Sequence, residues 1–186
     1  AEDSQEFAVN DLKAIALSNK DIVIGIASSG RTPYVLSGIT YAKEMGAKTA
    51  CITSSSNSPL EKLVDLPIVC VTGPEVITGS TRMKVGTAQK LILNMINTSV
   101  MIKLGKVYQN LMVDVKPTNQ KLINRAINII GEATQVSFEE AKTVFSKTQD
   151  VKVSILMLKG NLDKDSAIKL LTDANGNIQE ALKKAK

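Results

Sequence analysis

Histidine is absent from the 186 residues. Its absence excludes histidine-based triads, imidazole metal sites and imidazole acid–base chemistry, so any proton transfer falls to carboxylates, lysine, tyrosine or cysteine. Tryptophan is also absent and aromatics make up only 3% of the chain, so the core must be aliphatic. Stacking rings are too scarce, and arginine-rich stretches too few, for a nucleic-acid partner to be expected despite a formal charge of +5. The densest basic run, KKAK at 183–186, ends a helical pattern, where cations suit the helix dipole. No apolar run approaches the roughly 20 residues of a membrane-spanning helix. No basic start leads into an apolar core, so neither a membrane association nor a signal peptide is expected. The two cysteines, Cys51 and Cys70, sit inside the apolar runs TACIT and IVCVT. They read as buried small hydrophobes rather than a disulfide or metal pair, which suits a reducing cytoplasm.

What is present alternates in type. Residues 2–17 read as a helix with Phe7, Leu12, Ile15 and Ala16 on its apolar stripe. DIVIGIA (21–27) reads as a buried strand, 32–45 as a helix closed by Gly46, AKTACIT (47–53) as a second strand and LPIVCVT (66–72) as a third. SSSNSP (54–59) is a turn cluster, with Pro59 suited to a first helical turn. This rhythm implies an α/β fold with right-handed crossovers and a parallel sheet flanked by helices. After a hydroxyl-rich loop at 73–84 comes a long helix, about 84–104. It is apolar on most sides and therefore expected to be buried against the sheet or a partner subunit. Residues 106–119 look irregular.

Pro117 marks a boundary. Beyond it, 119–135, 138–147, 150–159, 164–172 and 177–185 read as short helices joined at TQVS, TQD, GNLD and NGN. Ser137 with Glu140 forms a capping-box pattern, and Asp163 is a further cap. Two domains are expected, 1–117 and 118–186, the second all-helical.

Three stretches carry candidate chemistry. Within GIASSGRTPY (25–34), Ser28, Ser29 and Thr32 supply hydroxyls and Gly30 allows close backbone approach. The following helix start adds free N–H groups, and Pro33 wastes no hydrogen bond there. A strand's carboxyl end is where open α/β sheets bind ligands. These features suit a phosphate; the plain alternative is that Ser and Thr only cap a helix. In TGPEVITGSTRMK, Glu75, Ser80, Thr81, Arg82 and Lys84 are candidates to line the same crevice, against the alternative of a solvated loop capping the long helix. In AEDS (1–4), Glu2 and Asp3 by themselves suit a helix start.

Taken together, AEDS, DIVIGIASSGRTPYV, GPEVITGSTRMKVGTAQKLILNM and GKVYQNLMVDVKPTN resemble, in order and spacing, the N-acetylmuramic acid 6-phosphate etherases. These are bacterial cell-wall-recycling enzymes of the sugar isomerase (SIS) fold family. The resemblance covers nearly the whole chain. It implies a SIS-type parallel sheet over 1–117, present in part, followed by a small module of ubiquitin-associated type. It implies a carbon–oxygen lyase that takes D-lactate from the C3 ether of N-acetylmuramic acid 6-phosphate by elimination and then hydration, leaving N-acetylglucosamine 6-phosphate. No metal and no organic cofactor is implied. The family's base is the glutamate of its AEDS motif, hence Glu2. The SSGRT turn resembles the SIS phosphosugar loop, so Ser28, Ser29, Gly30 and Thr32 are implied to hold the sugar or its phosphate. A homodimer is implied by resemblance alone, and packing is the expected role of the helical tail.

The chain departs from the family pattern at its start. A first strand, a GAGTSGR-type phosphate loop and an ASE segment carrying the general acid have no counterpart. The expectation is a fragment with little or no activity by itself, and with an exposed sheet edge. Two alternatives stay open: a non-catalytic phosphosugar sensor of the glucokinase regulatory protein type, and an aldose–ketose isomerase using the same loop.

Overall fold

Parallel strands cannot be joined by a hairpin, so each of the first three strands hands over to a helix before the next begins. The structure is a computed structural model describing residues 1–185; Lys186, the last residue of the KKAK run, lies outside the described residues. The chain divides into two compact units, Ala1–Asn94 and Met95–Lys186.

The first unit runs α1 (Gln5–Ala14), β1 (Ile22–Ile26), α2 (Pro33–Glu44), β2 (Lys48–Thr53), α3 (Pro59–Leu63) and β3 (Leu66–Val69). The sheet has the order β1-β2-β3 and is parallel throughout, with Gly25 opposite Cys51 and Cys51 opposite Pro67. The central strand β2 is the buried one: Ala50, Cys51, Ile52 and Thr53 are all inaccessible. Ala27, Ile39, Cys51 and Leu60 form one core with Val23, Val35 and Leu63 against it. As a sheet edge, β1 is less buried than its apolar sequence suggests, with Ile22 60% exposed. β3 is the other edge. It stops at Val69, short of residue 72, and it tolerates Pro67 because an edge strand has a side that need not donate.

Two expectations about helices are corrected. The α1 stripe is not Phe7, Leu12, Ile15 and Ala16: Phe7 and Ile15 are exposed, and the buried residue is Ala8. The cause is that α1 approaches α2 closest where Ala8 meets Gly38; Leu12, the one stripe residue that does pack, lies half-buried beside the same glycine. The long helix α4 (Lys84–Lys103) forms where expected, yet only Val85 and Ile92 are buried. Leu91, Leu93, Met95, Val100 and Ile102 remain exposed, so burial of this helix within the described chain does not occur.

The second unit contains the rest. Residues 106–119 are not wholly irregular. They hold a tight antiparallel ribbon, β4 (Val107–Tyr108) with β5 (Leu111–Met112), turned at Gln109 with φ 55°. Five helices follow: α5 (Gln120–Thr134), α6 (Phe138–Thr148), α7 (Val151–Gly160), α8 (Lys164–Asp173) and α9 (Ile178–Lys184). Each starts on a side-chain cap, from Asn119, Ser137, Asp150, Asp163 and Asn177. Their shared core includes Ile130, Phe145, Ile155, Leu156 and Ile178 together with Val113 from the segment after the ribbon. Among the described residues no helix is long and apolar enough to cross a membrane.

One charged cluster ties this unit together. Asp114 accepts hydrogen bonds from Lys106 and from Lys152 (2.9 Å), and Lys152 also reaches the Gly176 carbonyl at 3.3 Å. The Lys106 hydrogen bond, opposed by partial burial and aided by Lys152, holds the Asp114 carboxyl below the usual carboxylate range. A folded-state pKa below the unfolded one makes the unfolded chain the stronger proton binder. The contribution is therefore present in full above about pH 5 and is lost as pH falls through the lowered value. Asp114→Asn should cost about 1–2 kcal/mol at neutral pH and flatten the acid-side loss of stability, as read by denaturant unfolding at several pH values. Equal pH slopes in variant and parent would remove Asp114 from that account.

Candidate functional site

Because β1, β2 and β3 are parallel, the loops that follow them emerge at one end of the sheet. The loop after β1 is held in place by the loop after β2. The Ser28 carbonyl accepts from the Ser54 N–H (3.0 Å), the Thr53 hydroxyl (3.1 Å) and the Ser55 hydroxyl (3.2 Å). The Gly30 carbonyl accepts from the Leu60 N–H at 3.1 Å. Gly30 itself is left-handed, φ 62°, and a Cβ there would lie 2.3 Å from the Ser58 Oγ. Ser58 is fully buried and caps α3 by accepting from the Glu61 N–H, so it cannot step aside. Glycine is therefore required at position 30 both by conformation and by space.

Thr32 is the N-cap residue of α2, yet its side chain makes no capping hydrogen bond. Ser29 Oγ accepts from the Arg31 N–H at 3.2 Å and keeps its own proton to donate. Ser28 and Thr32 are half-buried and Ser29 is exposed. The helix end is less open than expected. Pro33 has no N–H, the Tyr34 N–H donates to the Glu2 carbonyl (3.1 Å), and the Leu36 N–H donates to the Thr32 carbonyl. An anion here would meet hydroxyls before it met free helix donors.

Glu2 is exposed, in a turn closed by the Ser4 N–H on the Ala1 carbonyl (3.0 Å). Its bond to Tyr34 sets it beside the first turn of α2, the helix that the SSGRT loop enters. Glu2 and the loop, 26 or more residues apart in sequence, thus share one end of one helix.

Glu75, Ser80 and Thr81 leave from β3, two strands and roughly 10 Å across the sheet from β1. Glu75 is committed elsewhere: its two oxygens accept from the Lys84 and Val85 N–H groups, each at 3.1 Å, capping α4. Those two backbone bonds hold its carboxyl below its ordinary range. Lys84 closes the same loop on the Pro74 carbonyl at 2.7 Å. Ser80 is half-buried, with its N–H on the Ile77 carbonyl, and Thr81 is exposed.

Sequence reasoning passed over the loop after β2, treating it as a turn cluster. Thr53, Ser54, Ser55 and Ser58 shape the neighbouring loop, and the Ser54 Oγ and Thr72 Oγ1 are buried with no hydrogen-bond partner. The signal was available: a hydroxyl-rich run at a strand's carboxyl end obeys the same rule that singled out SSGRT. Among the described residues no group of three or more potential metal ligands is found.

A parallel sheet with hydroxyl loops at its carboxyl end is the arrangement of a SIS domain, and the SIS domain model matches residues 8–99. Residues 109–152 match the C-terminal lid domain of glucokinase regulatory protein. The relatives are more particular. N-acetylmuramic acid 6-phosphate etherase of Exiguobacterium sp. is 54% identical over 98% of this chain and 62% of its own length. The Lactobacillus gasseri etherase is 55% identical over 99% of this chain and 62% of its own length. An Enterococcus faecalis etherase is 49% identical over 98% and 61%. The chain is similar to these N-acetylmuramic acid 6-phosphate etherases along nearly all of its own length, and spans about three fifths of the length of the curated relatives it matches.

Gly30→Ala should destabilise by about 2–4 kcal/mol in thermal or denaturant unfolding. Adding Ser58→Gly removes the clash with Ser58 but leaves the Thr53 hydroxyl 3.1 Å away and the left-handed backbone, so it should restore only part. Full recovery would mean that space alone selects glycine.

Proposed function

We propose that the chain carries the sugar-binding and proton-abstracting part of a carbon–oxygen lyase acting on N-acetylmuramic acid 6-phosphate, releasing D-lactate and N-acetylglucosamine 6-phosphate in peptidoglycan recycling. The observation that carries this reading is identity of 54–55% to curated etherases across 98–99% of the chain. Ser28, Ser29, Gly30 and Thr32 hold the 6-phosphate or the sugar beside it. Glu2 is the base. With the sugar open to its aldehyde, the C2 proton is acidic enough for a carboxylate to take. The C2–H electron pair becomes the C2–C3 double bond, the C3–O bond breaks, and D-lactate leaves with a proton. Water then adds at C3 and a proton returns to C2. Ser80 and Thr81 contact the far side of the sugar, while Glu75 serves by holding the loop on α4, which its two backbone donors favour.

The same proposal covers the organisation. Residues 1–117 form the phosphosugar part and 118–186 a packing module of ubiquitin-associated type, in a cytoplasmic homodimer. The exposed apolar side chains of α4 favour association. The lid-domain match at 109–152 favours a second reading, a phosphosugar sensor that binds without cleaving.

Glu2→Gln, in the native polypeptide carrying this chain, should abolish lactate release from N-acetylmuramic acid 6-phosphate and leave affinity for N-acetylglucosamine 6-phosphate within about twofold. Unchanged turnover would remove Glu2 as the base. Binding of the muramic acid substrate with no lactate from the unaltered protein would favour the sensor.

A further inference from the structure

The grip and the base are held by one helix. The N-terminal segment meets α2 at residues 2, 5, 8 and 11, one contact every three residues. The Glu2 carbonyl accepts from the Tyr34 N–H at 3.1 Å. The Gln5 carbonyl accepts from the Ser37 hydroxyl at 2.7 Å, a shorter bond than that hydroxyl's alternative acceptor, the Tyr34 carbonyl at 3.1 Å. Ala8 seats against Gly38, where a Cβ would come within 3.3 Å of the Ala8 methyl. Asp11 accepts from the Tyr34 hydroxyl at 2.7 Å, which raises the Tyr34 phenol's pKa. The same two turns of α2 begin at Thr32 and Pro33, the end of the SSGRT loop. The distance from loop to Glu2 is thus set by contacts on Tyr34, Ser37 and Gly38, not by the loop itself.

We propose that Ser37, assisted by Tyr34, is a positioning residue: it fixes where the Glu2 carboxylate stands relative to a sugar held by SSGRT, without touching that sugar. The proposal rests on the reading of Glu2 as the base. Ser37 pins the first turn of α1 to α2 at Gln5, three residues from Glu2, while the Ser4 hydroxyl caps the same turn from within by accepting from the Phe7 N–H at 3.3 Å. Without it the Gln5 carbonyl loses its donor from α2, keeping only its bond within α1, and the Glu2 turn can shift while the loop, braced from β2, stays put. Proton abstraction is sensitive to such shifts: a displacement of about 1 Å can cost on the order of a hundredfold in rate.

The test uses the native polypeptide carrying this chain, with lactate release from N-acetylmuramic acid 6-phosphate and calorimetric binding of N-acetylglucosamine 6-phosphate as paired readouts. Ser37→Ala should lower kcat by about tenfold or more while KM and product affinity stay within about twofold. Ser37→Thr, which keeps the hydroxyl, should recover most of the loss. Tyr34→Phe keeps the backbone donor and loses only the Asp11 bond. It should show the same split in smaller measure, and it carries the test if Ser37→Ala fails to fold. Unchanged kcat in both variants overturns the proposal, as does a kcat loss matched by lost product affinity, or one that threonine does not repair. If Glu2→Gln abolishes turnover while both variants are silent, only the positioning role falls. If Glu2→Gln leaves turnover intact, the reading of the base falls, and this proposal with it.

Discussion

The first unit is organised around a left-handed residue pressed against a buried serine. Gly30 turns the chain where no side chain fits, and Ser58 stands 2.3 Å from where one would begin. From that turn the Gly30 carbonyl takes the Leu60 N–H and the Ser28 carbonyl takes three donors from residues 53–55. The loop after β1 is therefore shaped by the loop after β2, and the start of α2 follows from both. Since α2 carries the Glu2 turn, a constraint at one glycine reaches a carboxylate that lies 28 residues earlier in the chain.

The SSGRT loop has no lysine; it combines neutral hydroxyls at Ser28, Ser29 and Thr32 with one exposed cation, Arg31. The two glutamates near these loops are engaged differently. Glu75 takes two backbone donors on its carboxylate, which favour its charged form and suit a helix cap. Glu2 takes a backbone donor on its carbonyl, from the Tyr34 N–H.

Much of this was legible in the sequence because period and punctuation agree. Apolar runs of strand length between helical stretches placed β1, β2 and β3, and Ser137 and Asp163 announced their helices as caps. The failures share a physical cause, which is that the partner surface is not written locally. α1 turns Ala8 rather than Phe7 toward α2 because Gly38, thirty residues on, lets the two helices close up there. α4 is apolar yet exposed because the sequence of a helix does not say what covers it. The ribbon at 107–112 is two residues per strand, too short for alternation to register. At the candidate site, SSGRT stood out, while the loop that shapes it read as mere turn chemistry. Only the bonds to Ser28 and Gly30 reveal its role.

The helical unit mixes contacts between successive helices with longer reaches along the chain, such as Lys152 to Asp114 and Val113 in the core that holds Ile178. The sheet must wait: β1 finds β2 only after α2 has crossed over, and parallel pairings of this kind form late. Until β2 arrives, β1 is a five-residue apolar strand without that neighbour, and Ile22 and Ile26 stay exposed among the described residues even once it is paired. The interval while α2 crosses over is therefore when IVIGI is most open to pairing with another chain.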